Sequence, residues 1–298
     1  PGPAPRHAGC ACQHAIAMTI QEQTLQITGN GFAMLGILSL PAAGAPVQHT
    51  AVLIVVGGAQ YRVGSHRQFV RLARHLAAAG HPVLRFDLPG MGDSPGEPLP
   101  FEDSAPPIAA SLDALQQASG RARAVLWGLC DGASASLLYM QATRDPRVAG
   151  LALFNPWVRS EAGLARARVK HYYRQRLLEP AFWRKLAGGG VGWQALRNLG
   201  NNLRTMRQTT AQTLTFQELM AQGWRALEGK IMLILSERDL TAQEFVEHAH
   251  THPAWQQTLQ HPGVRRHSLA GADHTGSSPA DQQALNTLTQ AWLADLPP

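Results

Sequence analysis

Features that would commit this sequence to several protein classes are missing from it. Among 298 residues there are only three cysteines, and two of these, Cys10 and Cys12, sit together near the start. That is too few for a disulfide framework, and no second cysteine pair is present to build a zinc site, so neither disulfides nor a metal is expected. No apolar run approaches the ~20 residues a membrane-spanning helix needs, and no stretch has the charged start and apolar middle of a signal peptide. The expectation is a soluble, cytoplasmic protein. Internal repeats and low-complexity tracts are absent, which excludes solenoids and arrays. A phosphate-binding G-K-[ST] ending and a dinucleotide fingerprint are absent too, and no cofactor is expected.

Nucleic acid is the partner a net charge of +6 would suggest, and much of the excess comes from arginines between Arg159 and Arg207. They are spread along helical pattern with glutamate, tryptophan and leucine among them, which describes a solvated helix face, and no nucleic-acid-binding motif accompanies them. Residues 1–17 begin without methionine and carry three prolines in the first five positions. They show no periodicity and are expected to be a tail, a tag remnant or an upstream extension, with the folded part starting at Met18.

What the chain does have is a hydrophobic content of 45%, enough for one large α/β domain or a core with a sizeable insertion. Alternation over Thr24 to Thr28 and Met34 to Leu40 predicts a hairpin turning through Gly29-Asn30-Gly31. A continuous apolar run at Ala51 to Val56 has the form of a strand buried on both faces, and Pro82 to Asp87, Arg123 to Trp127, Val148 to Phe154 and Lys230 to Ser236 are read as further strands. Val264 to Ser268 adds a short strand. Helices are predicted over His66 to Ala79, Ser104 to Ser119, Ala133 to Tyr139, Gln243 to Leu259 and Pro279 to Leu296. The alternation specifies a mostly parallel, doubly wound sheet of about eight strands. Only helical pattern fills Asn155 to Glu228, so residues 18–154 and 229–298 are read as two parts of one core, and 155–228 as a helical cap or lid.

Chemistry concentrates at Gly128-Leu129-Cys130-Asp131-Gly132, a G-x-nucleophile-x-G pentapeptide between a buried strand and a helix of small and apolar residues. This is the layout of a nucleophile elbow with cysteine in place of serine, and a side chain at either glycine would collide with neighbouring elements. The alternative is that Cys130 is small core filler. A thiol nucleophile needs a base and a group to orient that base. Asp239 follows the strand ending at Ser236, and His274 lies in a glycine-bearing loop after the last strand, giving the order nucleophile, acid, histidine. Asp239 could instead cap the next helix, and Asp273 is a rival acid; Asp239 is preferred because a residue adjacent in sequence seldom reaches its neighbour's ring nitrogen. Oxyanion donors are expected from the backbone amide of Asp131 and from Gly58 or Ala59 in the glycine loop after the third strand. Asp87-Leu88-Pro89-Gly90-Met91-Gly92-Asp93-Ser94 is read as a turn at the site's rim.

These segments resemble the α/β-hydrolase superfamily from about Met18 to Leu296, with the turn at Asp87 to Ser94 among its habitual features. More narrowly, the stretch from Val56 to Phe69, Arg85-Phe86-Asp87, Gly128 to Ser134 and Asn155-Pro156-Trp157-Val158-Arg159 resemble the exosortase A system-associated hydrolase 1 family. Its members are encoded alongside exopolysaccharide and protein-sorting machinery in Gram-negative bacteria, and the resemblance implies an association with that machinery. The chain departs at Leu88-Pro89, where that pattern has tyrosine or another residue and then arginine. Dienelactone hydrolases and polyester synthases are similar in using cysteine at the elbow. The expected function is cleavage of an ester or thioester by Cys130, His274 and Asp239 through an acyl-enzyme; the alternatives are acyl transfer by the same residues, or a non-catalytic binding protein on a hydrolase scaffold.

Overall fold

The computed structural model describes residues 20–57, 60–159 and 214–297. Eight strands form one sheet: β1 (Ile20–Gly29), β2 (Phe32–Pro41), β3 (Thr50–Val55), β4 (Val83–Phe86), β5 (Arg123–Leu129), β6 (Val148–Phe154), β7 (Lys230–Ser236) and β8 (Val264–Leu269), in the order β1-β2-β4-β3-β5-β6-β7-β8. The β1–β2 hairpin joins antiparallel, and β4, β3, β5, β6, β7 and β8 run parallel to one another. The described helices are α1 (Gln68–Ala78), α2 (Ala105–Ser119), α3 (Asp131–Thr143), α4 (Phe216–Ala226), α5 (Leu240–Thr251) and α6 (Pro279–Ala294).

The central strands are apolar throughout because both faces are covered, and their period of two sorts side chains into two cores. Leu53, Val55, Leu126, Leu151, Leu153 and Leu233 pack on one side with Leu112, Leu137, Met220 and Phe245 from α2, α3, α4 and α5. On the other, Val52, Ile54, Trp127, Phe154 and Ile234 pack with Phe69 and Leu76 of α1 and Leu285 and Trp292 of α6. Each such side chain, fully buried, contributes about 1.5–3 kcal/mol. The Trp127 indole lies between Phe69 and Phe154 and donates to Thr289 Oγ1 at 3.3 Å, tying α6 to the middle of the sheet. At the edge, β8 presents exposed Arg265 and Arg266, charges that discourage pairing with another chain.

Several predicted elements differ in their ends, among them the helix predicted over Ala133 to Tyr139, which runs from Asp131 to Thr143. The hairpin strands run to the turn on both sides, because their outer positions are polar and the pattern there is weak. The helix expected over Gln243 to Leu259 starts earlier, at Leu240, and ends at Thr251. Pro253 cannot continue it, and the chain proceeds through short 3-10 turns at Pro253–Trp255 and Thr258–Gln260. Helix α4, within the span 155–228 expected to form a lid, belongs to the core: Gly223 lies so close to Leu137 O of α3 that a Cβ has no room, and Met220 and Ala221 are buried. Residues 160–213, with most of the arginines noted above, and residues 1–19 lie outside the described residues. Among the described residues no helix is long and apolar enough to cross a membrane.

Candidate active site

Cys130, Asp239 and His274, singled out by the sequence, and Asn155, assigned no role there, follow neighbouring parallel strands at their carboxyl ends, the edge of an open α/β sheet where ligands bind. Cys130 follows β5, Asn155 follows β6, Asp239 comes shortly after β7 and His274 follows β8.

Cys130 joins β5 to α3 with φ 58° and ψ −123°, a backbone conformation that costs a non-glycine residue of order 1–3 kcal/mol. The flanking glycines make the turn possible. A Cβ on Gly128 would sit 2.5 Å from Ala133 N, and one on Gly132 would overlap Val55 O of β3. The strained residue is held through both of its backbone groups: Cys130 N donates to Phe154 O at 2.9 Å, and its carbonyl accepts from Trp157 N at 3.2 Å. The thiol is partly buried and free. Asp131 opens α3, which puts its amide at the positive end of the helix dipole, favourable to negative charge developing nearby. The loop after β3 crosses this first turn so closely that a Cβ on Gly57 would overlap the Asp131 carboxylate. Gly58 and Ala59, the other expected oxyanion donors, lie outside the described residues.

His274 Nδ1 is 2.8 Å from Asp239 Oδ2. An ionised carboxylate only accepts, so Nδ1 carries a proton toward Asp239. The Asp239 bond first, and then the influence of the nearby Cys130 side chain, outweigh burial and push the His274 pKa up to about 10. Asp239 is buried, which by itself disfavours its charge, but the His274 bond and charge and the amides of Thr241 and Ala242 hold its carboxyl below the usual range. Those amides answer the capping question. Asp239 is the N-cap of α5, Oδ1 accepting from Thr241 N at 3.2 Å and Oδ2 from Ala242 N at 3.1 Å, while Oδ2 also accepts from the imidazole. Capping the helix and orienting the histidine are one arrangement. Asp273 is engaged elsewhere, accepting from the amides of Thr275 and Ser277 at 3.0 Å each and from the Ser277 hydroxyl.

One residue carries no assignment from its side-chain chemistry alone. Asn155 is fully buried with φ 47°, and its amide bridges three pieces of the site: Nδ2 donates to Ser236 Oγ at 3.0 Å and to His274 O at 2.9 Å, and Oδ1 accepts from Ser236 N at 2.8 Å. It therefore fixes the end of β7 and the histidine loop to β6. The signal in the sequence is a polar residue directly after the all-apolar strand Val148 to Phe154 and before Pro156.

The turn after β4 is anchored by its own residues. Buried Asp87 accepts from Arg62 N at 2.6 Å, from the Arg62 guanidinium and from Asp93 N at 3.0 Å, and Ser94 Oγ donates to Asp87 O at 2.8 Å. Arg62 lies beyond β3, so Asp87 couples the loops after β3 and β4.

An eight-stranded, mostly parallel sheet with a tight strand-to-helix elbow after its fifth strand, and an acid and a histidine after later ones, defines an α/β-hydrolase. Residues 52–286 match the alpha/beta hydrolase family, and the chain belongs to it. Among solved structures it is similar to the Pyrococcus furiosus esterase Pf2001, with TM-score 0.61 and 15% identity over 98% of each chain. It is also similar to an alpha-beta serine hydrolase homologue from Coxiella burnetii (TM-score 0.56, 13% identity, 91% of this chain and 97% of that one). A dienelactone hydrolase from Anabaena variabilis aligns at TM-score 0.57 and 14% identity, over 93% of this chain and 99% of that one. At such identities these likenesses concern the fold. Among curated proteins no sequence matches this one.

Proposed function

We propose that this protein is a cysteine-nucleophile hydrolase of carboxylic esters or thioesters. The observation that carries the reading is His274, bonded to Asp239 and influenced by a nearby cysteine held at positive φ in an elbow. In this reading His274, its pKa raised well above neutrality, already holds the thiol proton on Nε2 in the resting pair, and Cys130 Sγ attacks the substrate carbonyl as a thiolate. The tetrahedral oxyanion is held by the Asp131 amide together with that of Gly58 or Ala59, and the intermediate collapses to a thioester as the imidazolium protonates the departing alcohol or thiol. Water then gives its proton to His274 and attacks the acyl-enzyme, releasing the acid and the Cys130 sulfur while the proton stays on the imidazole, which restores the resting pair. A thiolate is both a good nucleophile and a good leaving group, so activated acyl donors such as thioesters suit it better than amides. The motifs shared with exosortase A system-associated hydrolases support a role beside exopolysaccharide or protein-sorting machinery.

The test pairs labelling with turnover. Iodoacetamide should alkylate Cys130 far faster than a free cysteine near neutral pH, His274→Ala should slow that reaction, and Cys130→Ala should abolish hydrolysis across a panel of p-nitrophenyl esters and acyl thioesters. Equal, sluggish labelling in wild type and H274A, with no Cys130-dependent turnover, would leave a binding protein on a hydrolase scaffold.

A further inference from the structure

The side of the sheet covered by α1 and α6 carries a groove that the chemistry at Cys130 does not use. It has a volume of about 520 Å³ and is lined on the α1 side by Arg67, Arg71, Arg74 and His75, and on the α6 side by amides including Gln283 and Asn286. None of its lining residues is acidic. Arg74 is committed to Glu22, at 2.6 Å, and His75 Nε2 is 2.6 Å from Gln290 Oε1. Arg67 and Arg71 are exposed, and among the described residues their guanidinium groups have no hydrogen-bonding or ion-pair partner.

Arg67, the residue before α1, and Arg71 of its first turn line the same groove, and two like charges there repel, an arrangement that an anion between them relieves. Backbone geometry adds a second observation. His66 and Arg67 both have positive φ, 53° and 61°, at the start of α1, where glycine would be relaxed. An arginine held in this conformation is the kind of local strain found at ligand clamps. Both helices also begin at the same edge of the sheet, since each follows a parallel strand, and their positive ends lie at the Arg67 end of the groove. The groove falls within the size range of small-molecule sites. The exposed large apolar side chains Val47, Tyr61, Leu214 and Leu240 are not among its lining residues, so nothing there resembles a membrane anchor.

We propose that this groove binds the phosphate groups of a small, soluble organophosphate, with Arg67 and Arg71 as paired anchors and the α6 amides contacting the rest of the molecule. Arginine forks fit phosphate oxygens bidentately, and the neutral opposite wall leaves hydrogen-bonding capacity for hydroxyl or amide groups.

Isothermal titration of the full chain with sodium pyrophosphate at low ionic strength tests this. Saturable binding is expected, weakened about tenfold or more in R67Q/R71Q through loss of two charge-assisted contacts, and changed by less than about twofold in R266Q, an exposed arginine outside the groove. The replaced side chains are exposed, so the fold is retained, which circular dichroism verifies. Absence of binding to wild type, equal affinity in R67Q/R71Q, or an equal loss in R266Q overturns the site. So does wild-type protein that ignores pyrophosphate yet sediments with phosphatidylglycerol vesicles, the behaviour of a membrane-binding face. Because the readout is binding, its failure is distinct from any failure of the Cys130 chemistry.

Discussion

Replacing Asn155 separates the support of the histidine loop from general stability. In Asn155→Ala three hydrogen bonds disappear, those with Ser236 N, Ser236 Oγ and His274 O. The orphaned Ser236 amide is the most serious, since Ser236 is 1% exposed and water cannot reach it; leaving a buried donor unmatched costs about 1–3 kcal/mol. A positive φ adds about 1–2 kcal/mol for alanine, which tolerates that region less well than asparagine. Together the loss is roughly 2–5 kcal/mol, a large share of the 5–15 kcal/mol a domain usually has. Asn155→Asp is the discriminating variant. It keeps an acceptor for the Ser236 amide and tolerates φ 47°, but it has no N–H for the His274 carbonyl and sets a carboxylate against that oxygen. Burying that charge costs several kcal/mol unless the carboxyl takes up a proton, so its turnover is measured under conditions where circular dichroism shows N155D to be folded. Its kcat on a thioester should fall about 10- to 100-fold with KM nearly unchanged, because a displacement of about 1 Å in a catalytic group is enough for such a loss. Slower alkylation of Cys130 should accompany it. If N155D turns over at the wild-type rate while N155A unfolds early, Asn155 serves the fold alone and the positioning argument is wrong.

Two further predictions test other parts of the site. His274 titrates at about 10, above its ordinary 6.5, chiefly because of Asp239; its contribution to stability is whole below 6.5 and is lost as pH climbs through about 10. The Asp239 contribution is present above the ordinary 3.8 and disappears only as pH falls through its lowered value. Hydrolysis of an alkyl thioester, followed by its absorbance, should therefore persist well into the alkaline range, and D239N should bring the alkaline limb to lower pH; an unmoved limb would show that Asp239 does not set the imidazole's charge. Gln68, at the start of α1, is 3% exposed with both amide atoms unpartnered. Gln68→Met, close in shape, should stabilise the protein by about 1–3 kcal/mol in urea denaturation by removing that unmet demand; a destabilised variant would mean the amide is satisfied in solution.

Much of the fold was legible because a two-sided sheet writes itself as uninterrupted apolar runs, and Ala51 to Val56, Val148 to Phe154 and Lys230 to Ser236 fell within a residue of β3, β6 and β7. The elbow was legible through its glycines, whose missing side chains are required by backbone contacts at 2.5 Å or closer. Helix ends were harder. Leu240 to Ala242 reads as loop until Asp239 is seen to cap it, and the apolar pattern across Pro253 hides a break that the proline enforces. Asn155 was quoted within a motif but given no role, since its partners Ser236 and His274 are 81 and 119 residues away. The basic groove was hidden differently: the sequence marked α1 only as a helix, and Arg67 before it and Arg71 and Arg74 on it have meaning only beside α6.

Asp239 shows why cap and catalytic acid need not compete as readings of one residue. A carboxylate offers about four lone-pair directions, and a helix N-terminus engages only some of them. Here the amides of Thr241 and Ala242 fix the plane of the carboxylate, and the remaining capacity of Oδ2 meets His274 Nδ1. The helix amides thereby keep the acid ionised and pointed, so the imidazole inherits its orientation from secondary structure. Asn155 acts in the same way on the other side of the histidine, through the backbone carbonyl of His274. Both supports come from residues at the carboxyl ends of strands and depend on the register of β6, β7 and β8. A side chain held at two points by residues at the ends of a parallel sheet has its place set by the register of the strands, and this is the physical basis for expecting N155D and D239N to alter turnover.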